Sequence, residues 1–354
     1  MLLRLLNQAQ YELLHYPHKN VRDYLMRPFR VLARIDEDMD DKMAYPNAVL
    51  AKGMLDYYYK HINSEEAREI ADLIKRYYGR WAMSGHKLYS IRDAYAGMAL
   101  IDLHQITGDD KYKASIDAIY QYLVSAETAE NGSYIHTTPM GDQYVFAEDI
   151  GCVCPFLSKY SATYQDTVGA SIAVTQILNF MSFGMDEKTF LPYHGYNITN
   201  GMKMGIIGWG QAVGMLLTGV SATLRYISPE SVGYEDIRQF YRRMVDKVET
   251  YQSEGGLYHW QLCAKEGPAD TAATAQILLS ISEGVETKVL IGLHKNRMLR
   301  GAEALKACIQ EDGSVPGAAA LSPEFNHYPM EFGAFPWSLG PTLSLMNMIE
   351  EEKL

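Results

Sequence analysis

Apolar residues recur along this chain with helical spacing, in two kinds of segment that alternate. The first kind is sharply one-sided. Ile70, Leu73, Ile74, Tyr77, Tyr78 and Trp81 follow the i, i+3, i+4, i+7, i+8 rule, as do Ile237, Phe240, Tyr241, Met244, Val245 and Val248. Similar patterns cover about 112–124, 167–182 and 294–309, and a stretch of about 3–15 makes a sixth. Each predicts a helix with one wet face. The second kind is rich in Gly, Ala and apolar residues nearly all round, as in Asp93-Ala94-Tyr95-Ala96-Gly97-Met98-Ala99-Leu100-Ile101 and Gly210-Gln211-Ala212-Val213-Gly214-Met215-Leu216-Leu217. Helices of that composition are buried on most sides. They begin near Pro46, Ile91, Asp149, Gly210, Asp270 and Trp337.

Six buried helices alternating with six half-buried ones describe an inner ring wrapped by an outer ring, an all-α (α/α)6 barrel of the six-hairpin glycosidase type, expected to span 1–354 as a single domain. An open solenoid would share the period. Against it, the repeats show no consensus, and the last buried helix finds an outer partner only if the N-terminal helix supplies it, which closes the ring. Strand patterns are few, and Tyr144-Val145-Phe146 fits a hairpin in a loop. Parallel inner helices would gather their N-termini at one mouth. The starts carry Asp40 and Asp41, Asp93, Asp149, Trp209 with Gln211, Asp270 and Trp337, a set of carboxylates and indoles suited to sugars.

Composition narrows the partners. A hydrophobic fraction of 47% in 354 residues supports a large core. The net charge of -11, with no basic run, excludes nucleic acid, and no apolar stretch approaches the roughly 20 residues that cross a bilayer. The opening Met1-Leu2-Leu3-Arg4-Leu5-Leu6 is too short for a signal peptide, so a cytoplasmic location is expected. The four cysteines lack ligand spacing and read as reduced core or wall thiols. No metal site and no phosphate-cradling glycine loop is visible, so neither metal nor cofactor is expected. The oligomeric state is open.

The order of several motifs then adds a family. Glu148-Asp149-Ile150-Gly151-Cys152-Val153-Cys154-Pro155-Phe156-Leu157, Leu191-Pro192-Tyr193-His194-Gly195-Tyr196-Asn197 and Gly208-Trp209-Gly210-Gln211-Ala212-Val213-Gly214-Met215 resemble segments of glycoside hydrolase families 88 and 105, the unsaturated glucuronyl and rhamnogalacturonyl hydrolases. Ile91-Arg92-Asp93-Ala94-Tyr95-Ala96-Gly97 and Phe335-Pro336-Trp337-Ser338-Leu339-Gly340 fit as well, in the same order. The resemblance implies an oligosaccharide substrate ending in a C4=C5 unsaturated uronic acid, hydrated at the double bond. Asp149 would be the general acid and base and Asp93 the second carboxylate. That chemistry needs a carboxyl that is protonated near neutral pH, and burial with a like-charged neighbour raises an Asp pKa. Substrate-binding candidates are His194, Trp209, Gln211, Trp337, Arg92 and His136.

Each candidate has a structural alternative. Asp93 completes a Ser-x-x-Asp capping box with Ser90, Asp149 and Asp270 can cap their helices, and the indoles can pack. Two positions depart from the family: Gln211 stands where it has Arg, and Met215 where it has Trp. An Arg grips a carboxylate through two charge-assisted bonds, which a Gln does not. Either Arg92 or Lys203 replaces the charge, or the substrate is a different sugar. Other readings are a different (α/α)6 glycosidase, a sugar epimerase, or a non-catalytic carbohydrate-binding protein.

Overall fold

The computed structural model describes residues 1–17, 42–83, 86–137, 141–322 and 324–350; the expected contributions of Asp40 and Asp41 lie outside them. Twelve α-helices alternate among the described residues. The outer ones are α1 (Leu2–His15), α3 (Glu65–Ala82), α5 (Asp110–Val124), α7 (Thr167–Phe183), α9 (Tyr234–Glu249) and α11 (Gly292–Ala307). The inner ones are α2 (Tyr45–Lys60), α4 (Gly97–Thr107), α6 (Ala147–Tyr164), α8 (Gly210–Tyr226), α10 (Thr271–Glu286) and α12 (Pro336–Ile349). The start expected near Ile91 is a 3-10 turn, Ile91–Ala96, that runs into α4.

The apolar stripes explain the layering. In α3 the buried set includes Ile70, Leu73, Ile74, Tyr77, Tyr78 and Trp81, and in α9 Ile237, Phe240, Tyr241, Met244, Val245 and Val248, the residues that the periodicity selects. Inner helices are buried round most of their circumference, as in α8 and α12. They pack in the cycle α2, the 3-10 turn with α4, α6, α8, α10, α12 and back to α2, while α1 sits against α2 and α12 and supplies the missing outer member. The fold is therefore a closed (α/α)6 barrel.

Glycine lets the inner helices approach. A Cβ on Gly340 of α12 would lie 2.5 Å from the Val49 carbonyl oxygen of α2, and one on Gly53 would lie 2.7 Å from the Gly340 oxygen. Those atoms are backbone and cannot turn aside. The same device joins α6 to α8, where a Cβ on Gly219 would meet the Ile150 oxygen at 2.5 Å.

Loops at the N-terminal mouth carry a four-stranded antiparallel sheet ordered β1 (His136–Thr137), β2 (Gln143–Phe146), β3 (Gly195–Asn197), β4 (Lys203–Met204). Tyr144-Val145-Phe146 is thus a central strand, paired with Asn197, Tyr196 and Gly195. A second pair, β5 (Ala318–Ala319) and β6 (Phe332–Gly333), lies before α12. The cysteine expectation needs one correction: Cys152 and Cys154 are buried, but Cys263 is exposed, because its loop runs over the mouth and not through the wall.

Asp270 caps α10. Its Oδ1 accepts from the backbone N–H groups of Ala272 (2.9 Å), Ala273 (3.3 Å) and Ala319 (3.3 Å), while Oδ2 has no partner among the described residues. Full burial pushes its pKa up to about 6 despite those three donors. The folded carboxyl therefore keeps a proton that the unfolded chain has already lost above its ordinary value of 3.8, so this group lowers stability as pH rises from about 4 to 6, with no further change above.

Two predictions follow from these contacts. Gly340→Ala should lower stability by about 1–3 kcal/mol through overpacking, whereas Gly79→Ala on α3, with open space around it, should raise it by up to about 1 kcal/mol; denaturant midpoints report both. Between pH 4 and 8, Asp270→Asn should gain on the wild type by on the order of 2–3 kcal/mol, and a difference that does not vary with pH would contradict the burial account.

Candidate active site

The N-terminal ends of α2, α6, α8 and the 3-10 turn meet around a cavity of about 560 Å³, lined among others by Tyr45, Tyr89, Arg92, Asp93, Glu148 and Gln211. A second cavity of about 690 Å³ occupies the opposite end. Tyr45 and Gln276 line both and are joined by a 3.2 Å hydrogen bond from the Gln276 amide to the Tyr45 hydroxyl, so they form the partition.

Asp149 stands in the first turn of α6, 2% exposed. Packing of the 3-10 turn against α6 brings Arg92 to it: Nε donates to Oδ1 at 2.8 Å. From β1, His136 places Nε2 3.0 Å from Oδ2, which also accepts the Phe146 N–H at 3.2 Å. Asp149 is thus both helix cap and ion-pair partner. The Phe146 ring holds the group in place, with the Arg92 guanidinium 5.1 Å above it, His136 edge-on at 5.2 Å, and Phe325 stacked on it at 4.3 Å.

These charges overturn one expectation. Burial alone would raise the Asp149 carboxyl, but His136 and Arg92 outweigh it and hold the group well below the usual carboxylate range. Asp149 is therefore ionised, not protonated, near neutral pH. The largest influences on Asp149 are burial, His136 and Arg92, whereas Asp93 is engaged by its own turn. Its Oδ2 accepts the N–H groups of Tyr89 (2.7 Å) and Ser90 (3.0 Å), completing the capping box, although the residue also lines the cavity. In the same pair His136 is raised above its ordinary value, chiefly by Asp149.

His194 does not reach the cavity. It is 1% exposed at the edge of β3, its Nε2 2.7 Å from Glu148 Oε1 and its Nδ1 2.9 Å from the Tyr328 hydroxyl. Aromatic rings of Phe146, Trp209, Phe325 and Tyr328 enclose it. Burial works to raise Glu148, but His194 and then Arg92 prevail and lower it. Glu148, which lines the cavity, is the site carboxylate that sequence reasoning missed; its position beside Asp149 in the first turn of an inner helix was the available signal.

Three other candidates form a brace. The Ala319 carbonyl of β5 accepts from Gln211 Nε2 at 2.7 Å and from Trp337 Nε1 at 2.9 Å, while its N–H goes to Asp270. One residue thereby ties the starts of α8, α10 and α12. Trp337 is 3% exposed and stacks on Phe335, and Trp209 is fully buried beside His194, so neither indole offers a face to the cavity. An indole at a helix start can turn inward as readily as outward, and here the hydrogen bond and the aromatic neighbours decide. Gln211 lines the cavity with one amide N–H bound to Ala319 and its Oε1 without a partner among the described residues.

The replacement cation is Arg92. Lys203 on β4 donates to the Met185 carbonyl at 2.5 Å and is not part of the cavity wall. Arg92 is the only Lys or Arg among the described residues lining this cavity; its side chain is 31% exposed, and its two Nη groups make no hydrogen bond to the described residues.

Comparison with known proteins agrees with this architecture. The chain is 21% identical over 287 residues to the unsaturated rhamnogalacturonyl hydrolase YesR of Bacillus subtilis strain 168, covering 80% of each chain. A glycoside hydrolase from family 105 of C. acetobutylicum ATCC 824 superposes with a TM-score of 0.75 at 17% identity over 93% of this chain and 99% of that one. The unsaturated glucuronyl hydrolase of Bacillus sp. GL1, described as responsible for degradation of glycosaminoglycan, gives 0.67 at 15% identity over 88% and 87%. No helix among the described residues is long and apolar enough to cross a membrane. Residues 18–346 match the model of Glycosyl Hydrolase Family 88, and the chain belongs to that family.

Proposed function

We propose that this enzyme removes a terminal C4=C5 unsaturated uronic acid from an oligosaccharide by hydrating the double bond, with Asp149 as general acid and base. The barrel would act as one domain over 1–354. The observation that carries the reading is the juxtaposition, at the mouth of the barrel, of an anchored carboxylate and a cation with an open edge: Asp149 and Arg92. The names of YesR and the Bacillus sp. GL1 enzyme supply the substrate class.

In this reading Arg92 receives the substrate carboxylate through its Nη groups, taking over the role of the family Arg whose position Gln211 occupies. The tyrosines at 45 and 89 offer ring faces and hydroxyls to the sugars. Asp93 and Glu148 accept from sugar hydroxyls, and His136 touches the acid directly. His194 and Trp209 act as positioning residues, through Glu148, while Gln211 and Trp337 keep the mouth in shape. Protonation of C4 makes C5 and the ring oxygen electron-poor; water adds at C5, the hemiketal opens, and the neighbouring sugar leaves. An epimerase or a binding protein would leave the double bond intact, and a conventional glycosidase would release the uronic acid with the bond still in place, to be lost only afterwards by ring opening and tautomerisation.

The direct test is the ultraviolet absorbance of the conjugated double bond, followed with unsaturated disaccharides from rhamnogalacturonan and glycosaminoglycan lyase digests. The wild type should consume at least one of them, and Asp149→Asn should be slower by about 10² to 10⁴. No loss of absorbance with any member of the panel would end this reading. Arg92→Gln should raise KM for the same substrate at least about tenfold, since a bidentate charged contact is lost; an unchanged KM would remove Arg92 from carboxylate binding.

A further inference from the structure

Protonating a carbon requires an acid, yet Asp149 in the free protein is a carboxylate held by the Arg92 guanidinium and the His136 ring. The group within its reach that can carry a proton is the His136 ring, whose Nε2 lies 3.0 Å from Oδ2. The groups that face this pair are Arg92 from the 3-10 turn, Glu148 from α6 and the edge of the Phe146 ring; Asp93, Cys152 and Tyr196 stand further out. Glu148 has Oε1 engaged by His194 and Oε2 without a partner among the described residues, but it is itself an acid; Arg92 is the cation with an unfilled edge, and Arg92 lines the cavity.

We propose that the proton delivered to the substrate is stored on His136 and is moved onto Asp149 by the substrate itself, whose carboxylate docks on the open Nη edge of Arg92. This rests on the hydration reading of the same site. A carboxylate docked there shares the guanidinium that neutralises Asp149, brings a like charge beside it, and displaces water from around the pair. All three effects favour a neutral imidazole and a carboxylic acid over an imidazolium and a carboxylate. The second carboxylate that makes Asp149 an acid is thus the substrate's own, not that of Asp93.

The step balances. His136 Nε2 gives its proton to Asp149, the C4=C5 electron pair forms a C4–H bond with that proton, and the cation left at C5 and the ring oxygen takes the oxygen of water. The water's proton returns to Asp149 and from there to His136, so one water is consumed and the pair is restored. A neutral sugar can bind without triggering the transfer, which places selection for the acid in turnover as well as in affinity.

The experiment uses the whole protein labelled with ¹⁵N-histidine, with the His136 ring signals identified by their loss in His136→Gln. The ring is titrated alone, with a saturated glucuronyl disaccharide, and with its glucosyl counterpart, each at saturation. The proposal requires the uronate to lower the titration midpoint of His136 by at least about one pH unit and the neutral sugar to leave it in place. An added negative charge acting alone would raise the midpoint; a rise, no change, or no binding of the uronate overturns the proposal.

A kinetic arm asks the same question. With an unsaturated disaccharide, kcat/KM of the wild type should hold until His136 titrates and then fall, whereas His136→Gln should lose about tenfold per pH unit across the neutral range, because Asp149 must then carry its own proton. Identical profile shapes overturn the proton store. A wild type that consumes no unsaturated substrate overturns the hydration reading instead, an outcome the histidine titration does not mimic.

Discussion

Close backbone contact between neighbouring inner helices is the constraint from which the rest of the structure follows. Where α12 meets α2, the Gly340 and Gly53 backbones sit where no Cβ could stand, and Gly219 does the same between α8 and α6. A ring drawn this tight closes, and a closed ring with α1 as its last outer member points the starts of the inner helices at one mouth. Arg92 and Asp149, 57 positions apart in the chain, come within 2.8 Å because the 3-10 turn and α6 are neighbours in that ring.

The mouth divides into two halves with different physics. On one side, Arg92, His136, Glu148 and Asp149 form a charged group whose members are anchored but not all saturated. On the other, Ala319 takes one hydrogen bond from each of Gln211 and Trp337 and gives one to Asp270, which ties three inner-helix starts together. Carboxylates in the two halves respond in opposite ways to the same burial. Asp149, with Arg92 and His136 against it, is held ionised, whereas Asp270, with backbone donors alone, is pushed up to about 6. Charge compensation, and not depth, decides which of them is an anion.

Much of this was legible in the chain. Helical periodicity selects the buried residues of α3 and α9, and the alternation of half-buried with fully buried helices implies the ring. Arg92 is legible as a residue of the mouth because it stands at an inner-helix start, and so is Asp149, which lies buried behind the cavity wall and hydrogen-bonded to Arg92. Side-chain direction was not legible. Trp209, Trp337 and His194 occupy the expected segments but turn away from the cavity, since their orientation depends on Ala319, Glu148 and Tyr328, which are far off in sequence. The ionisation of Asp149 was equally hidden, because it depends on a histidine in a strand and an arginine in a turn that the fold brings together.

The account's central claim is that catalysis breaks a carbon–carbon double bond by protonation and does not cut the glycosidic bond directly. The measurement that bears on it most closely is the reaction run in D₂O, with the product examined by NMR at early times. Hydration requires one deuterium at C4 of the released uronic acid product in every turnover. A product that retains its double bond and carries no deuterium at C4 would contradict the account.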